Sequence, residues 1–512
     1  MEAASLRRGG PGSVLQSLGE AARERSRAFW IVAGITVLAT VLRFATLGAQ
    51  SYHHDEIVTA SRVLRDGFGH AMDAVWFSES APPLYYALAW VWTQVAGTGE
   101  WGLRTLSALA GVAVVPVAYL VGLELRGRRA GLVAAALVAV NPMLLWYSQE
   151  ARAYSLLVLL CAASLLYCVR ALRGGRRRDV VWWGVASALA LATHYFAVFP
   201  IVVEAVALLR RRGRAVLPGL GAIGAAAVAL APLTLHQMSI GHAEWIGNFT
   251  LGHRLWEAAA SFVTGETGDI VGRAQQPWIA VAPLLLALAA LALLGLRGGP
   301  EERRAARLPW AVAAVTVGLP LALALLASNK DYVLSRNLLP ALVPLLVVIA
   351  IATTMPAARR TGAAAAAALF AYSLGTCVWV SLDEGLQRPN WDAVAERIGE
   401  PEAPRATVTW TLGEAPLRYY LSTGAIQVRA SDGYDWLVHE LNFVSDGEVP
   451  PPPRRLLGRG FRETADEEAG RLFIRRYRLP GPGLARLRLR RLPHAKLGFR
   501  NNGVLLDGVG PG

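Results

Sequence analysis

The 512-residue chain has only three cysteines. Cys161 and Cys168 share one apolar run, Cys377 lies in another, and the polar C-terminal part has none. That excludes a disulfide framework and a Cys-x-x-Cys metal site. Charge is scarce as well. Asp, Glu, Lys and Arg make up 17% of the residues and hydrophobic residues 54%, whereas soluble domains carry about 25% charged residues. This balance excludes a soluble globular chain and points to a membrane protein. There is no Gly-x4-Gly-Lys-Ser/Thr loop, so no nucleotide cradle of that type is expected. No internal repeat is evident. No small-residue cleavage site follows the first apolar run, which is too long for the core of a signal peptide, so that run is expected to remain in the protein.

Acidic residues number 37 against 51 basic ones, giving a net charge of +14. Nucleic acid is not the partner this suggests. The arginines stand in short blocks between apolar runs, which is the footprint of orientation in a membrane.

Long apolar runs are what the sequence has in abundance. About 20 apolar residues cross a bilayer as a helix, the form that satisfies the backbone there. Spans are read near 29–48, 103–125, 130–147, 154–172, 179–194, 195–210, 215–236, 277–297, 308–328, 336–355 and 362–382. Arg7, Arg8, Arg23, Arg25 and Arg27 precede the first, which predicts a cytoplasmic N-terminus over residues 1–28. With eleven spans the blocks at 126–129, 170–178, 210–214, 297–307 and 358–360 all fall on the cytoplasmic side. The segments left outside are 49–102, 148–153, the junction at His194, 237–276, 329–335 and everything after 382. This requires that the run "PPLYYALAWVWTQVAG" (82–97) does not cross. Pro82-Pro83 opens it, it is short for a span, and Tyr85, Tyr86, Trp90 and Trp92 favour an interface. It is read as an interfacial helix.

After Leu382 the composition becomes polar. "RPNWDAVAERI" (388–398) reads as a capped amphipathic helix, and "RATVTW" (405–410) and "RLFIRRYRL" (471–479) read as strands. The four prolines at 450–453 form a linker or turn, and the Leu/Arg alternation from 486 to 503 reads as an edge strand with a basic face. Residues 383–512 are thus expected to form a small extracytoplasmic α/β domain.

Outside the basic blocks, ionisable residues cluster in the outer segments. They are His53, His54, Asp55 and Glu56; "YSQEARAYS" (147–155), with Glu150, Arg152 and Tyr154; "THYF" (193–196), with His194; and "SNKDYVLSRN" (328–337), with Lys330 and Arg336. Singly, each has a plain reading as a solvated loop end, a helix cap, a local ion pair or a snorkelling side chain. Together on one face they suit a phosphate-bearing substrate and a proton transfer. Glu204 lies inside a span, where an acid is functional by default, although Arg210 is close enough to pair with it near the cytoplasmic edge. No metal or cofactor is expected. A divalent ion on His53 and His54 is the weaker reading, because adjacent residues rarely aim at one ion.

The string "HHDEIVTA", "APPLYYALAWVWTQVAGTGEWGLRTLSALAG", "NPMLLWYSQEARAYSLLVLL", "SRNLLPALVPLLVVIA" and "RPNWDAVAERI" resembles the GT-C superfamily of membrane glycosyltransferases. Within it the string is similar to the family 39-like group of dolichyl-phosphate-mannose–protein mannosyltransferases and ArnT-type enzymes. Two positions depart from the pattern. Ala81 stands where members often have His, and Asn337 where they have Tyr; His53 and His54 are the histidines at hand to take the first role.

The resemblance implies a GT-C fold and an inverting transfer of mannose or a similar sugar from a polyprenyl-phosphate donor to an acceptor hydroxyl. The acceptor classes are protein, glycolipid and polysaccharide, and the setting is the outer side of the plasma (inner) membrane, among its lipids. It implies Asp55 as general base, with Glu56 or Glu150 orienting hydroxyls. Lys330, Arg336 and Arg152 would neutralise the leaving phosphate, and His53, His54, Tyr85, Tyr154 and His194 would complete the substrate site. Two other classes compete. A transporter or flippase for a lipid-linked saccharide would place its ionisable residues at the midplane on broken helices. A scaffold would not depend on Asp55.

Overall fold

The computed structural model describes residues 11–64, 67–240, 246, 249–266, 277–326, 332–421, 423–428, 436–447, 460–487 and 502–508. Lys330 and the prolines at 450–453 lie outside these residues, as does most of the stretch from 486 to 503. In chain order the first helices are α1 (Pro11–Phe44), α2 (His54–Ile57), α3 (Phe68–Ser78), α4 (Leu84–Ala96) and α5 (Glu100–Arg126). Next come α6 (Arg128–Val140), α7 (Pro142–Ser148), α8 (Tyr154–Gly174), α9 (Arg177–Thr193), α10 (Val198–Arg212), α11 (Leu217–Ile240) and α12 (Leu251–Thr264). The last apolar helices are α13 (Trp278–Arg297), α14 (Pro300–Leu326), α15 (Leu342–Thr354) and α16 (Arg359–Leu382).

Among the described residues, eight helices are long and apolar enough to cross a membrane, or nine if the bent pair α6–α7 is one span. Three places account for the difference from the eleven spans read in the sequence. The α6–α7 pair is bent by 57°, α9 has only 17 residues, and Tyr195–Ile240 counts as one stretch although a 3-10 turn at Gly213–Val216 separates α10 from α11. The interfacial reading of 82–97 falls on α4, whose 13 residues extend roughly 20 Å at 1.5 Å per residue, short of a hydrocarbon core of about 30 Å.

The chain divides into two compact units. One comprises Met1–Ala45, Val75–Tyr85 and Thr105–Cys377; the other Thr46–Ala74, Tyr86–Arg104 and Val378–Gly512. The first is a helix bundle with an aliphatic core drawn from α5 to α8 and α13 to α16, including Val138, Met143, Leu165, Val347 and Ile351. Small residues let its helices approach. A Cβ on Gly184 of α9 would lie 2.5 Å from the Gly219 Cα of α11, so only glycine fits that contact. The bend between α6 and α7 has a local cause. Asn141 caps α7, its side chain accepting from Leu144 N at 3.0 Å, and Pro142 occupies the first turn, where its missing N–H is harmless.

Glu204 does not pair with Arg210. Its Oε2 accepts from the Trp183 indole N–H at 2.8 Å and from the Ser164 hydroxyl, so one carboxyl joins α8, α9 and α10. Glu204 is fully buried, and its Oε1 has no partner among the described residues. Glu204→Ala is expected to strand the indole N–H, at about 1–3 kcal/mol for a buried group, while the Ser164 hydroxyl keeps Ser187 at 2.8 Å. Glu204→Gln keeps an acceptor oxygen and is expected to melt close to wild type. Thermal melting of the purified proteins checks this, and equal melting of all three would refute the clamp.

In the second unit, helices α17 (Trp391–Ile398) and α18 (Thr411–Leu421) join strands β1 (Arg405–Trp410), β2 (Ile426–Val428), β3 (Trp436–Val438) and β4 (Glu440–Asp446). Then follow β5 (Arg462–Ala469), β6 (Leu472–Arg478), β7 (Ala485–Leu487) and β8 (Asn502–Asp507). Six strands form a sheet in the order β2-β8-β1-β4-β6-β5, and β3 pairs with β7. Only β1–β4 is parallel. The helices expected at 388–398 and the strands expected at 405–410 and 471–479 are α17, β1 and β6. The edge strand expected at 486–503 lies mostly outside the described residues; the strand after it, β8, lies inside the sheet between β2 and β1, with Arg405 facing Asp507, and its consecutive residues Val504, Leu505 and Leu506 are all buried. Helices α17 and α18 cover one sheet face through Trp391, Leu417 and Leu421 against Val444, Ile474 and Leu505.

Candidate active site

The residues picked out in the sequence fall into two groups, one within each unit. In the second unit, Tyr52 leads into the four-residue helix α2, which a short π-helical segment, Val58–Val63, continues. His53 caps α2: its Nδ1 accepts from Asp55 N at 3.3 Å, while Glu56 Oε2 accepts from His53 N at 3.1 Å. This reciprocal cap fixes the turn. With Nδ1 accepting, the proton of neutral His53 sits on Nε2. Asp55 and His54 occupy the first turn and are partly exposed.

Glu56 is fully buried and is met by Arg104, itself 1% exposed. Arg104 Nε and Nη2 each donate to one Glu56 oxygen at 2.7 Å. Its remaining N–H groups go to the carbonyls of Leu47 at 3.1 Å, Gln50 at 2.7 Å and Ser51 at 3.0 Å. All five guanidinium donors are therefore used, and the group lies 5.3 Å from the centroid of the Tyr52 ring. Tyr52 is buried, its hydroxyl donates to Thr98 O at 2.6 Å, and burial followed by the nearby Glu56 carboxylate holds that hydroxyl well above its usual pKa, so it stays a donor.

In the first unit the bend at Pro142 carries Tyr147 to Glu150 to the head of α8. Arg152 does not stand alone. Its Nη1 reaches Glu79 Oε1 at 3.3 Å and its Nη2 reaches Glu79 Oε2 at 3.1 Å, with Glu79 almost fully buried. Ser107 Oγ donates to the Arg152 carbonyl at 3.2 Å and lies 3.3 Å from the Tyr85 hydroxyl, which makes Tyr85 a wall of this loop. Glu150 is buried, and its carbonyl accepts from Arg152 N at 2.8 Å. The rings of Tyr147 and Tyr154 meet at 4.7 Å, Tyr154 and His194 at 5.6 Å, and His194 stacks on Phe196 at 5.2 Å. Phe196 N donates to His194 Nδ1 at 3.3 Å, leaving the proton on Nε2.

Arg336 joins this group. It and Arg152 both act electrostatically on His194, and Arg336 and Glu150 both act on Tyr147. Ser335 beside it donates to Glu266. The Glu257 carboxyl is raised above its usual range by burial first and then by Glu266, with His253 and Arg336 opposing. The buried Arg254 ties α12 to the segment before Ser335 through Val333 O at 3.2 Å, and also donates to Phe249 O, just ahead of α12, at 3.1 Å.

Four groups escaped the sequence reading: Arg104, Glu79, Glu257 and Glu266. Arg104 alone had a signal, as a guanidinium inside the apolar run 103–125. For the other three, only the packing shows which loop carboxylate meets which cation. Among the described residues no set of three or more His, Cys, Asp and Glu is placed to hold a metal ion. The Glu56 carboxylate is committed on both oxygens to Arg104.

Residues 80–236 match the family model described as dolichyl-phosphate-mannose-protein mannosyltransferase. Comparison with curated proteins gave no match. The similar solved structures include these two. One is an oligosaccharyltransferase of Archaeoglobus fulgidus in complex with Zn and sulfate, at 16% identity and TM-score 0.43, covering 77% of this chain and 57% of that one. The other is ArnT of Cupriavidus metallidurans bound to undecaprenyl phosphate, at 15% identity and TM-score 0.37, covering 87% and 97%. The chain thus spans little more than half the length of the archaeal protein. The family match lies on the stretch that carries the Pro-Pro-Leu-Tyr-Tyr and Ser-Gln-Glu-Ala-Arg motifs, so the chain is similar there to that family, and with its long apolar helices it is a multi-pass membrane protein.

Proposed function

We propose that the chain transfers a sugar from a polyprenyl-phosphate carrier to an acceptor hydroxyl, with inversion at the anomeric carbon. The observation that carries this reading is the Asp55 turn. His53 and Glu56, on either side of the His54–Asp55 pair, are spent on capping, and Glu56 is further locked by Arg104. Asp55 is the partly exposed carboxylate that this apparatus presents.

In this mechanism Asp55 takes the proton of the acceptor hydroxyl as its oxygen attacks the anomeric carbon. The bond to the phosphate breaks, and the carrier leaves as a phosphate monoester. That group leaves well without an acid, so what it requires is positive charge. Arg336 is assigned to it, with Lys330 as the second cation from the sequence. Arg152, paired with Glu79, is assigned to holding the Glu150 loop, and Glu56 to holding the turn. His194 Nε2–H and Tyr154 are assigned to donor hydroxyls. The basic blocks between spans support a cytoplasmic N-terminus, the reaction on the outer face of the plasma membrane, and the domain from 383 onward on that same side. Mannose is the first sugar to try, with pentoses next, and the acceptor is a protein, glycolipid or polysaccharide hydroxyl.

The test is transfer of radiolabelled sugar from a panel of polyprenyl-phosphate sugars to membrane acceptors by the purified protein. Transfer from one donor names it. No transfer across the panel, together with movement of a lipid-linked saccharide across liposomes, would replace this reading with a flippase. Arg336→Ala is expected to raise the KM for the donor about tenfold or more, from the loss of a charge-assisted bond. A rise confined to the acceptor KM would move Arg336 to the acceptor side.

A further inference from the structure

The polypeptide just ahead of Asp55 is gripped from two directions. From one comes Arg104, on the carbonyls of Gln50 and Ser51. From the other come residues more than 300 positions later. Ser51 Oγ donates to Pro389 O at 2.9 Å and accepts from Trp391 N at 2.8 Å. The Tyr420 hydroxyl accepts from Tyr52 N at 2.7 Å and donates to Glu100. The Tyr52 and Tyr419 rings meet edge to face at 6.0 Å, and helix α18 packs against α2.

These contacts are not those of a module on a tether, which would share few contacts with its anchor. They satisfy the side chain of Ser51 and the amide of Tyr52, while Arg104 already takes the carbonyls of Gln50 and Ser51. They also lead straight into a rigid body. Trp391 is 2% exposed and lies 5.0 Å from Trp410 of β1, while Tyr420 lies on α18, which covers the same sheet face. Movement of residues 51 and 52 would therefore have to drag α17, α18 and the sheet or break these bonds.

We infer that the C-terminal domain is a positioning brace for the Asp55 turn, with Tyr420 and the Pro389–Trp391 segment as its points of contact. The inference rests on the transferase reading and deepens it. Tyr420 and Ser51 touch no substrate; they act through Tyr52 and the cap that follows. A misplacement of a base by about 1 Å costs up to roughly a hundredfold in rate, and that is the scale on which the brace acts.

The experiment compares full-length wild type, Tyr420→Phe and Tyr477→Phe. The last makes the same chemical change on β6, where the Tyr477 hydroxyl donates to Glu463 at 3.0 Å, away from the turn. Hydrogen exchange over residues 52–57 and steady-state sugar transfer are read on each, with Asp55→Asn as the reference for lost chemistry. The expected result is faster exchange over 52–57 and a kcat lowered about ten- to a hundredfold in Tyr420→Phe alone, with both KM values little changed. Unchanged exchange overturns the brace whatever the activity does. Faster exchange with full kcat, while Asp55→Asn is inactive, overturns the positioning role and leaves the transferase standing. If Asp55→Asn transfers as well as wild type, the transferase reading of the turn fails and the positioning role falls with it. Should Tyr420→Phe not purify as a folded protein, Ser51→Ala, which removes the link to Pro389 and Trp391, is read in the same way.

Discussion

Asp55→Asn is expected to lower sugar transfer by about 10²- to 10⁴-fold, the range a positioned general base contributes, without a measurable change in melting. The second half of that statement follows from how the turn uses this residue. Its amide donates to His53 Nδ1 and its carbonyl accepts from Thr59 at 3.3 Å, and asparagine keeps both. The substitution is nearly isosteric and partly exposed, so a stability change within about 0.5 kcal/mol is expected. Purified wild type and variant, assayed together with the donor found in the panel and melted side by side, give the answer. Transfer at wild-type rate by the variant would remove Asp55 as the base and shift the role to Glu150, the carboxylate of the other group.

Arg104→Ala is expected to have the largest effect on stability. The guanidinium gives five N–H bonds, two of them to the buried Glu56 and three to carbonyls of the segment entering the turn. Removing one partner of a buried ion pair costs about 3–5 kcal/mol, because the other charge is left without compensation. The pair itself need not be worth that much. Replacing both Arg104 and Glu56 with Met is therefore expected to melt above Arg104→Ala, since no lone charge remains, while transfer stays low in both because the cap on His53 N and the grip on residues 47–51 are gone. A double-mutant cycle of melting and transfer separates the two effects. If Arg104→Ala melts like wild type, the pair does not hold the turn, and Glu56 returns to the role the family resemblance implied for it, orienting substrate hydroxyls.

Much of this molecule was legible in the linear order of residues. The apolar runs marked the helices because a backbone in lipid must satisfy itself within each segment. "RPNWDAVAERI" read as a capped helix, and its cap is Asn390, whose side chain accepts from Ala393 N at 3.2 Å; the run 130–147 read as one span, and the bend at Pro142 showed only in the structure. The candidate residues were legible as types. A carboxylate pair and two histidines after a span stand out in a chain with few charges, and so do the Glu150–Arg152 loop and Arg336. Their separate duties were not legible. Glu56 and Asp55 look equivalent in sequence, yet one is sealed against Arg104 and the other is presented. Arg152 looks like a phosphate ligand, yet Glu79 from a distant segment claims it. Glu204 has Arg210 nearby in sequence, yet its hydrogen bonds come from Trp183 and Ser164.

By itself, then, the sequence determined the membrane character, the helical architecture, the polar C-terminal domain and the family resemblance, because hydropathy, prolines and short motifs act locally. Only the tertiary structure decided which ionisable side chain meets which, that β8 runs inside the sheet, and that Tyr420 and Trp391 close on Ser51 and Tyr52. Those outcomes depend on burial and on partners hundreds of residues away, and a carboxylate or guanidinium acquires its role only when the group opposite it is known.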